Sequence, residues 1–461
     1  MPEFHSEPYL HIGGLSHKSA LIAWGAFYFR VHPNRGMKLV DDDDLQWVHP
    51  PRHETIGARS APYGPARVEV RDEAGTVVAE AMTNTANHCI VSGLTPDTRY
   101  EYSVYVKDEL WGADERWDWS PAAKGLRQEG RSYRNTFRTL PDPAAPRTRP
   151  FSFIVIGDFG TGICKPSTET RRQLEVAAAL ERAVDRYDAR CILTTGDNIY
   201  AKHRFLLWTR ETGEEDDDWF FTFYQPYRYV LNRIPVYPSI GNHDAGEMEA
   251  EDDRGQLIDN LYLTERLVGE EAAGRASVGP GLFYRFRAAA DIEFICLDTS
   301  KEQLLGGKRM FHHPKHAPFI DQTFAAGEHP RWRIAFCHHP PFSAGPRWGN
   351  TSGMGDLVRR FEQGGVRLCF SGHEHNFQHS HVNGIDYFVT GAGSKVRLGT
   401  PDRMDEARTV SWAARCHFLL VTIDGTQATV RAIGDDPAEL VDITRQDPHG
   451  TPVTGPISCD A

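Results

Sequence analysis

Five short polar clusters contain residue types that bind metal ions, and each cluster follows a predicted strand. They are, in chain order, Gly157-Asp158-Phe159-Gly160, Gly196-Asp197-Asn198-Ile199-Tyr200, Gly241-Asn242-His243-Asp244, Cys337-His338-His339-Pro340 and Gly372-His373-Glu374-His375-Asn376. Between them they offer carboxylates, a phenol, an amide and imidazoles. Hard oxygen donors combined with imidazoles suit Fe, Mn or Zn better than a soft thiolate set does. The clusters therefore predict a metal site.

Each cluster also has a simpler interpretation when it is taken alone. Asp158 could be a turn residue, and 241–244 could be a loop closed by Asx turns. His373 and His375 form the stronger pair, because residues two apart on an extended backbone point to the same side. The presence of all five clusters, each after an apolar strand, favours one shared site over five unrelated loops.

The elements that must position these clusters belong to an α/β sheet. An apolar run over 151–156 precedes the first cluster, and 191–195 precedes the second. Between them, apolar residues three or four apart predict an amphipathic helix over 169–187, capped by Ser167 or Thr168. This is a β-α-β unit, and strand ends of such sheets converge at one edge. Further strands are predicted at 235–240, 291–297, 332–337, 366–371, 385–390, 417–423 and 427–432, with a helix at 352–363.

The N-terminal part of the chain has a different pattern. Short strands separated by turn signals predict an all-β sandwich over residues 8 to about 138, interrupted by an insertion-like segment at 34–64. The stretch 93–100, Gly-Leu-Thr-Pro-Asp-Thr-Arg-Tyr, resembles the corner before a late strand in fibronectin type III-like domains. Four prolines within 141–150 predict a linker. We therefore assign a sandwich to 1–140, a linker to 141–150 and a catalytic domain to 151–461.

The ordered clusters resemble those of the calcineurin-like metallophosphoesterases. Tyr200, three positions after Asp197, is similar to the purple acid phosphatases in particular, and Gly372-His373-Glu374-His375-Asn376-Phe377-Gln378 resembles their tartrate-resistant branch. A sandwich ahead of the catalytic domain also looks like the larger purple acid phosphatases. The resemblance implies an α/β four-layer sandwich (α-β-β-α) with an N-terminal, all-β, fibronectin type III-like sandwich.

The same resemblance implies a centre of two metal ions that share one carboxylate. One ion takes Asp158, Asp197, Tyr200 and His375, and the second takes Asp197, Asn242, His338 and His373. An anionic phenolate favours Fe(III), whose charge also lowers the pKa of the tyrosine. The neutral amide at the second site suits a divalent ion, Fe(II), Zn(II) or Mn(II).

Three further residues receive roles next to the ligands. His243 follows Asn242 and is suited to protonate the leaving oxygen as a general acid, or to hold the substrate phosphate. Asp244 is expected to orient His243. His339 is expected to contact substrate or to pack under Pro341, although it could replace His338 as the ligand.

The predicted function is that of a binuclear metal-dependent phosphoesterase, an acid phosphatase-like hydrolase of phosphomonoesters that uses metal-activated hydroxide. The alternative is a phosphodiesterase of the same superfamily, with 201–234 and 299–330 as a different lid. A non-catalytic binding protein is a third possibility. Gly157–Gly162 lacks the Gly-Lys-Ser/Thr ending of a P-loop, and the chain has no Gly-x-Ser-x-Gly elbow.

Composition excludes several other classes. The chain has 461 residues, with 51 Lys and Arg against 63 Asp and Glu, so its formal net charge of −12 disfavours a nucleic-acid partner. No apolar run reaches the ~18 residues of a membrane span. We expect a phosphorylated small-molecule or protein substrate, and the oligomeric state stays open. No signal peptide is seen, and several of the eight cysteines lie in apolar runs, so we expect a reducing, cytoplasmic location unless a signal is missing from the sequence.

Overall fold

In a computed structural model the chain forms two compact units. The described residues are 3–32, 36–39, 62–112, 134–162, 167–200, 202–205, 208–211, 219–245, 254–265, 283–304, 307–310, 316–436 and 438–461. Most of the predicted insertion-like segment 34–64 lies outside them. The first unit comprises 1–141, 214–236 and 256–266, and the second comprises 142–213, 237–255 and 267–461.

Two antiparallel sheets form the strand part of the first unit. One sheet has the order β1-β2-β3, with β6 also paired to β2, and the other has the order β5-β4-β7-β8, with β9 also paired to β7. Burial alternates along β4 and β7, so each of these strands turns one face inward. The strands are β1 (Glu3–Leu15), β2 (Ser19–His32), β3 (Gly36–Leu39), β4 (Ala66–Arg71), β5 (Val77–Thr83), β6 (His88–Ser92), β7 (Arg99–Val106), β8 (Glu109–Leu110) and β9 (Thr136–Arg138).

The first unit also contains helical segments from later in the chain. A π-helix, Phe220–Tyr224, leads into the helix Gln225–Leu231, and most of the helix Arg254–Asn260 belongs here too. Aromatic rings join these segments to the strands. The Tyr9 and Tyr224 centroids are 4.5 Å apart, and those of Phe27 and Phe220 are 5.0 Å apart. The domain assignment stays a prediction, and the compact units differ from it because these rings bring 214–236 and 256–266 into the first unit.

Two mixed sheets and two hairpins form the strand part of the second unit. The six-stranded sheet has the order β14-β11-β10-β24-β25-β28, and the nine-stranded sheet has the order β15-β16-β19-β20-β22-β21-β23-β26-β27. Strands β12 and β13 form one hairpin, and β17 and β18 form the other. The strands are β10 (Phe151–Ile156), β11 (Ala189–Thr194), β12 (Lys202–Phe205), β13 (Trp208–Glu211), β14 (Val236–Pro238), β15 (Tyr284–Ala289), β16 (Ile292–Cys296), β17 (Lys301–Leu304), β18 (Gly307–Met310), β19 (Trp332–Phe336), β20 (Val366–Ser371), β21 (Phe377–Val382), β22 (Ile385–Thr390), β23 (Thr409–Ala413), β24 (His417–Asp424), β25 (Gln427–Gly434), β26 (Arg445–Gln446), β27 (Pro452–Val453) and β28 (Ile457–Asp460).

Aromatic side chains pack the two sheets of the second unit against each other. The Phe153 ring on β10 lies 4.9 Å from that of Phe294 on β16 and 6.1 Å from that of Phe370 on β20. Helix Thr168–Tyr187 covers the six-stranded sheet, and helix Gly355–Gln363 packs on β20 of the nine-stranded sheet. The helix His316–Thr323 completes the described helices of this unit. The layers are thus helix, sheet, sheet and helix.

The first helix of the second unit agrees closely with its sequence pattern. The helix begins at Thr168, and the Oγ of the N-cap Ser167 accepts the Thr170 N–H at 3.0 Å. It ends at Tyr187, after which Asp188 adopts a left-handed conformation. The other predicted helix is three residues shorter than expected, since it begins at Gly355 rather than at position 352.

The Pro-rich segment is partly anchored. Arg147 forms an ion pair with Asp291 at 2.9 Å and donates to the carbonyl of Ile423 at 2.9 Å, so this end of the predicted linker is part of the second unit. None of the helices in the described ranges is long and apolar enough to cross a membrane. The seven cysteines in these ranges are all free thiols, and six of them are buried.

Candidate metal centre

The five polar clusters lie where strands of the two facing sheets end. Asp158 follows β10, Asp197 follows β11 and Asn242 follows β14, while His338 follows β19 and His373 follows β20. In both sheets these are carboxyl ends, and the sheets face each other, so the five loops reach one edge of the sandwich.

Unusual backbone conformations let the loops approach closely. Asp158, Asp197 and His373 have φ angles of 54°, 49° and 69°, in the left-handed region that is uncommon for residues with a side chain. Strain of this kind is typical of functional sites. A Cβ added to Gly241 would collide with the backbone and carboxylate of Asp197, and one added to Gly372 would collide with the Asp158 carboxylate. Two glycines are therefore needed for the packing around the acidic side chains.

The first group of donor atoms surrounds the hydroxyl of Tyr200. This hydroxyl donates to Asp158 Oδ1 at 2.8 Å and to Asp197 Oδ2 at 2.6 Å. His375 Nε2 lies 3.3 Å from the Tyr200 hydroxyl and 3.3 Å from Asp158 Oδ1. The structure thus brings together the four side chains predicted for the first ion.

The second group surrounds the side-chain oxygen of Asn242. His338 Nε2 and His373 Nδ1 both lie 2.9 Å from Asn242 Oδ1, and the two nitrogens are 3.2 Å apart. Asp197 Oδ1 is 3.4 Å from His338 Nε2. The four side chains predicted for the second ion also converge.

Asp197 belongs to both groups, with a different oxygen in each. Its Oδ2 faces Tyr200, while its Oδ1 faces His338 and also accepts the His243 backbone N–H at 2.9 Å. Only 1% of Asp197 is exposed. A single buried carboxylate therefore joins the two groups of donor atoms.

The first group contains two carboxylates but only one hydroxyl proton to share between them. Two buried carboxylates, Asp158 and Asp197, share the one proton of the Tyr200 hydroxyl. Burying charge without compensation is costly. A cation at this position would satisfy the carboxylates, so the donor set fits a metal ion.

The second group has the same need for a cation. The Nδ1–H of His338 donates to the carbonyl of Thr195 at 2.8 Å, so its Nε2 faces two oxygens, Asn242 Oδ1 and Asp197 Oδ1. Either a proton on Nε2 or a metal ion among these atoms would satisfy the oxygens. A carbonyl that fixes the tautomer of a histidine is also the usual support of a histidine ligand.

The titration of the central groups follows from their surroundings. Burial alone would raise the pKa of Asp197, but the imidazoles of His338 and His243 and hydrogen bonds outweigh it, so that pKa lies well below its usual range. Burial, with the charges of Asp158 and Asp197, raises the pKa of Tyr200 well above its usual value. Burial opposes the protonated form of His338, yet the Asp197 and Asp158 charges raise its pKa overall. The site holds anionic carboxylates and attracts positive charge.

His243 lies at the opening of this centre. Its ring is 4.6 Å from the Tyr200 ring, and its Nε2 is 3.9 Å from Asp197 Oδ2. Its side chain is 21% exposed, whereas that of Asp197 is 2% exposed. This side chain is therefore close to Tyr200 and to the shared carboxylate of Asp197, and it is reachable by a substrate.

The carboxylate of Asp244 connects neighbouring loops. It accepts backbone N–H groups from Asn198 at 3.0 Å, Ile199 at 3.2 Å and Gly241 at 2.8 Å, and its predicted role in orienting His243 stays a prediction. Burial and the Asp197 charge raise the pKa of Asp244 to about 6. Its hydrogen bonds join the loops after β11 and β14, a role that local sequence could not reveal.

His339 keeps two possible roles. Its backbone N–H donates to Thr299 Oγ1 at 2.9 Å, and its Nδ1 is 3.3 Å from the same oxygen. Its ring is also 4.5 Å from that of His373. Ligand atoms of His338, His339 and His373 lie within 4.8 Å of one another, as do those of Asp158, Asp197 and His338. The proximity leaves His339 available as a ligand or as a neighbour.

Several residues that border the centre could not be predicted from the sequence. The Nζ of Lys395 lies 3.2 Å above the centroid of the Tyr200 ring. The indole of Trp348 stacks on His373. The buried carboxylate of Glu374 accepts the backbone N–H of Trp348 at 2.7 Å. Only Glu374 stood near a recognised motif, between the two histidines of the last cluster.

Comparisons with known proteins agree with this arrangement. Residues 151–377 match the family described as calcineurin-like phosphoesterase. The chain is 23% identical over 309 residues to tartrate-resistant acid phosphatase type 5 of Homo sapiens, covering 61% of this chain and 82% of that protein. It is 26% identical over 269 residues to purple acid phosphatase 4 of Arabidopsis thaliana, covering 55% and 72%.

Solved structures share the fold. The purple acid phosphatase PPD1 from yellow lupin (Lupinus luteus) matches with a TM-score of 0.58 at 13% identity, covering 95% of this chain and 73% of that one. PhoD matches with the same TM-score of 0.58 at 13% identity, covering 100% and 90%.

Proposed function

We propose that this chain, a purple acid phosphatase-like member of the calcineurin-like metallophosphoesterases, hydrolyses phosphomonoesters. The reaction would take place at a centre of two metal ions. The observation that carries the proposal is the convergence of seven donor side chains into two groups that share Asp197. Among the described residues every predicted donor is in place, which argues against a vestigial, purely binding role.

The residues proposed to hold the ions are those of the two donor groups. Asp158, Tyr200 and His375 would hold the first ion, with one oxygen of Asp197. When bound, the two ions would supply a Lewis acid for the phosphate and would lower the pKa of water. The second group is Asn242, His338, His373 and the other oxygen of Asp197.

A residue of the chain itself would protonate the leaving group of the substrate. His243 is the proposed general acid, because its partly exposed imidazole lies beside Tyr200 and Asp197 and is not among the proposed ligands. A protonated imidazole there can donate to the oxygen of the leaving group as the P–O bond breaks. The nearby Asp197 carboxylate, 3.9 Å from Nε2, favours that protonated form.

The test of the general function combines metal content with hydrolysis. Elemental analysis of the purified protein should find two ions per chain, and removing them with a chelator should abolish hydrolysis of an aryl phosphate until metal is restored. A metal-free protein that hydrolyses the ester equally well would contradict the proposal.

The preference for monoesters has its own test. Rates on p-nitrophenyl phosphate and on bis(p-nitrophenyl) phosphate compare a monoester and a diester with the same leaving group. We expect the monoester to have the higher kcat/KM. The reverse order would favour the alternative, a phosphodiesterase of the same superfamily.

We propose Fe(III) at the first site, because a phenolate is an anionic hard ligand. The Tyr200 oxygen is 2.8 Å from Asp158 Oδ1 and 2.6 Å from Asp197 Oδ2, so it lies within the first donor group. Aerobically purified protein should then be violet to pink through a phenolate-to-iron charge-transfer band, and Tyr200→Phe should bleach it. An iron-replete wild-type protein without a visible band would remove Tyr200 from the ligands. The second ion is proposed to be Fe(II), Zn(II) or Mn(II).

The fibronectin type III-like character of the N-terminal sandwich is also a proposal. It is supported by the corner that the sequence predicted, where the Tyr100 hydroxyl accepts the Thr95 N–H at 2.9 Å. A tyrosine that closes a strand corner in this way is typical of immunoglobulin-like sandwiches.

A further inference from the structure

A loop beside the candidate metal centre presents an exposed aromatic ring. In the loop formed by residues 343–350, hereafter the rim loop, the Trp348 indole stacks on the His373 imidazole with 5.2 Å between centroids and 28° between planes. Trp348 is 40% exposed. The other Trp, Tyr and Phe side chains whose burial the structure describes are buried or half-buried. An exposed aromatic ring next to a metal-binding histidine is therefore unusual within this molecule.

Buried polar side chains hold the rim loop in place. Glu374, Asn376 and Gln378, two residues apart along the chain, are all fully buried. The Glu374 carboxylate accepts the backbone N–H of Trp348 at 2.7 Å. The side-chain amides of Asn376 and Gln378 each donate to the Gly345 carbonyl at 2.9 Å. Because the same segment carries His373 and His375, the rim loop is positioned by the segment that supplies two of the proposed ligands.

Buried charge strengthens this attachment. Arg397 Nη1 donates to Glu374 Oε1 at 2.9 Å, so each oxygen of the carboxylate has a partner. Gln378 adds a second bond, since its Oε1 accepts the Ala344 N–H at 2.7 Å. Removing a partner from such a buried network is costly, so the network favours one loop conformation. Trp348 therefore lies on a loop that is held in one conformation.

A second planar group accompanies the indole. The exposed Arg347 guanidinium has its Cζ 5.0 Å from the centroid of the Trp348 ring. Nucleobases stack on aromatic side chains, including indole rings, and on guanidinium planes. Stacking on an aromatic side chain contributes to binding without requiring a particular hydrogen-bond pattern.

We infer that the rim loop binds the leaving group of the substrate and selects phosphate esters whose leaving group carries a planar aromatic ring, as a nucleoside does. The inference rests on the proposed phosphomonoesterase function and adds the substrate class. The phosphate would lie at the two donor groups, and the ring would cover the exposed part of the Trp348–Arg347 pair.

A matched pair of substrates tests this inference. Adenosine 5′-monophosphate and ribose 5-phosphate carry the phosphate on the same primary carbon and differ in the adenine ring. We expect wild-type kcat/KM to favour the nucleotide by on the order of 10-fold, mainly through KM, as stacking on one aromatic side chain provides. Trp348→Ala should remove most of this preference, and Trp348→Phe should retain most of it.

The ratio of the two rates makes the test independent of how much active enzyme a variant yields. Val441→Ala, at an exposed apolar position in the second unit, is the control and should keep the wild-type ratio. Equal kcat/KM for both substrates in the wild type, or an unchanged ratio in Trp348→Ala, would overturn the inference and leave the phosphatase function standing. Failure of the metal-loaded protein to hydrolyse either ester or p-nitrophenyl phosphate would overturn both.

Discussion

Asp197 is the side chain on which both donor groups depend. Because its two oxygens face different groups, Asp197→Asn should lower metal content at both sites and reduce kcat/KM by at least about 10³-fold. The amide keeps the shape of the carboxylate, and strand β11 is held by buried apolar residues, so the fold should survive. Metal analysis and circular dichroism on the same sample separate these effects.

The control for Asp197 is an acidic residue of the same unit that lies away from the centre. Asp424→Asn changes an exposed carboxylate at the end of β24 and should leave metal content and rate unchanged. Two ions and near-normal turnover in Asp197→Asn would rule out the shared carboxylate.

His243 allows proton transfer to be separated from metal binding. His243→Ala should keep both ions and lower kcat about 10²–10⁴-fold, the usual size of a general-acid effect. The loss should be larger for an alkyl phosphate than for an aryl phosphate, because an aryl oxide leaves without needing a proton. The same loss on both esters would show that His243 is not the acid.

At the scale of elements, the glycines between strand and loop are as important as the ligands they precede. Gly241→Ala places a methyl group where the Asp197 backbone and carboxylate lie, so the loop after β11 must shift. A shift of this kind should reduce metal affinity and kcat by about 10²-fold, since roughly 1 Å of misplacement has that effect on catalysis.

Gly327→Ala provides the matched control, because a Cβ there meets nothing within 4 Å. Its metal affinity and rate should equal those of the wild type. If Gly241→Ala also behaves like the wild type, the close approach of the two loops is not required for the site.

At the same scale, the sequence predicted the elements that carry the centre better than those around it. Strands β10, β11 and β20 and the helix between β10 and β11 agree with their apolar patterns. Strands β21 and β23 were not predicted. Most residues of β21 are polar, and the strand is nevertheless largely buried, paired with β22 and β23 and bonded through Gln378 to the rim loop. Local hydrophobic pattern cannot reveal such a strand.

For the whole molecule, His417 makes stability depend on pH. It is fully buried at the start of β24, and burial lowers its pKa from 6.5 to about 4. The unfolded chain therefore binds a proton between pH 6.5 and 4 that the folded chain does not bind. The contribution of His417 to stability is fully present above pH 6.5 and is reduced by on the order of 3 kcal/mol as the pH drops to 4.

His417→Gln removes this titrating group and should flatten the pH dependence over that range. The measurement is the urea midpoint, followed by tryptophan fluorescence at several pH values between 4 and 7. His449→Gln, at an exposed histidine, should keep the wild-type slope. Parallel slopes for His417→Gln and the wild type would show that His417 does not cause the acid sensitivity.

The sequence by itself was enough to predict a metal site, because ligand-type residues follow several apolar strands whose ends meet at one edge of an α/β sandwich. The seven proposed ligands and the role of His243 came from the resemblance of these clusters to the purple acid phosphatases. The identity of the metals, the reaction on monoesters and the cytoplasmic location stay predictions, since none of them follows from backbone geometry.

Only the tertiary structure decided which distant residues meet. It showed that Asp244 bonds to Asn198 in the loop after β11, that Glu374 holds the rim loop beside His373, and that 214–236 belongs with the N-terminal strands. These contacts join residues from 26 to more than 100 positions apart, such as Trp348 with Glu374 and Tyr102 with Asn232. Periodicity and spacing record only neighbours along the chain, whereas such pairs depend on how buried polar groups find partners once the sheets have packed.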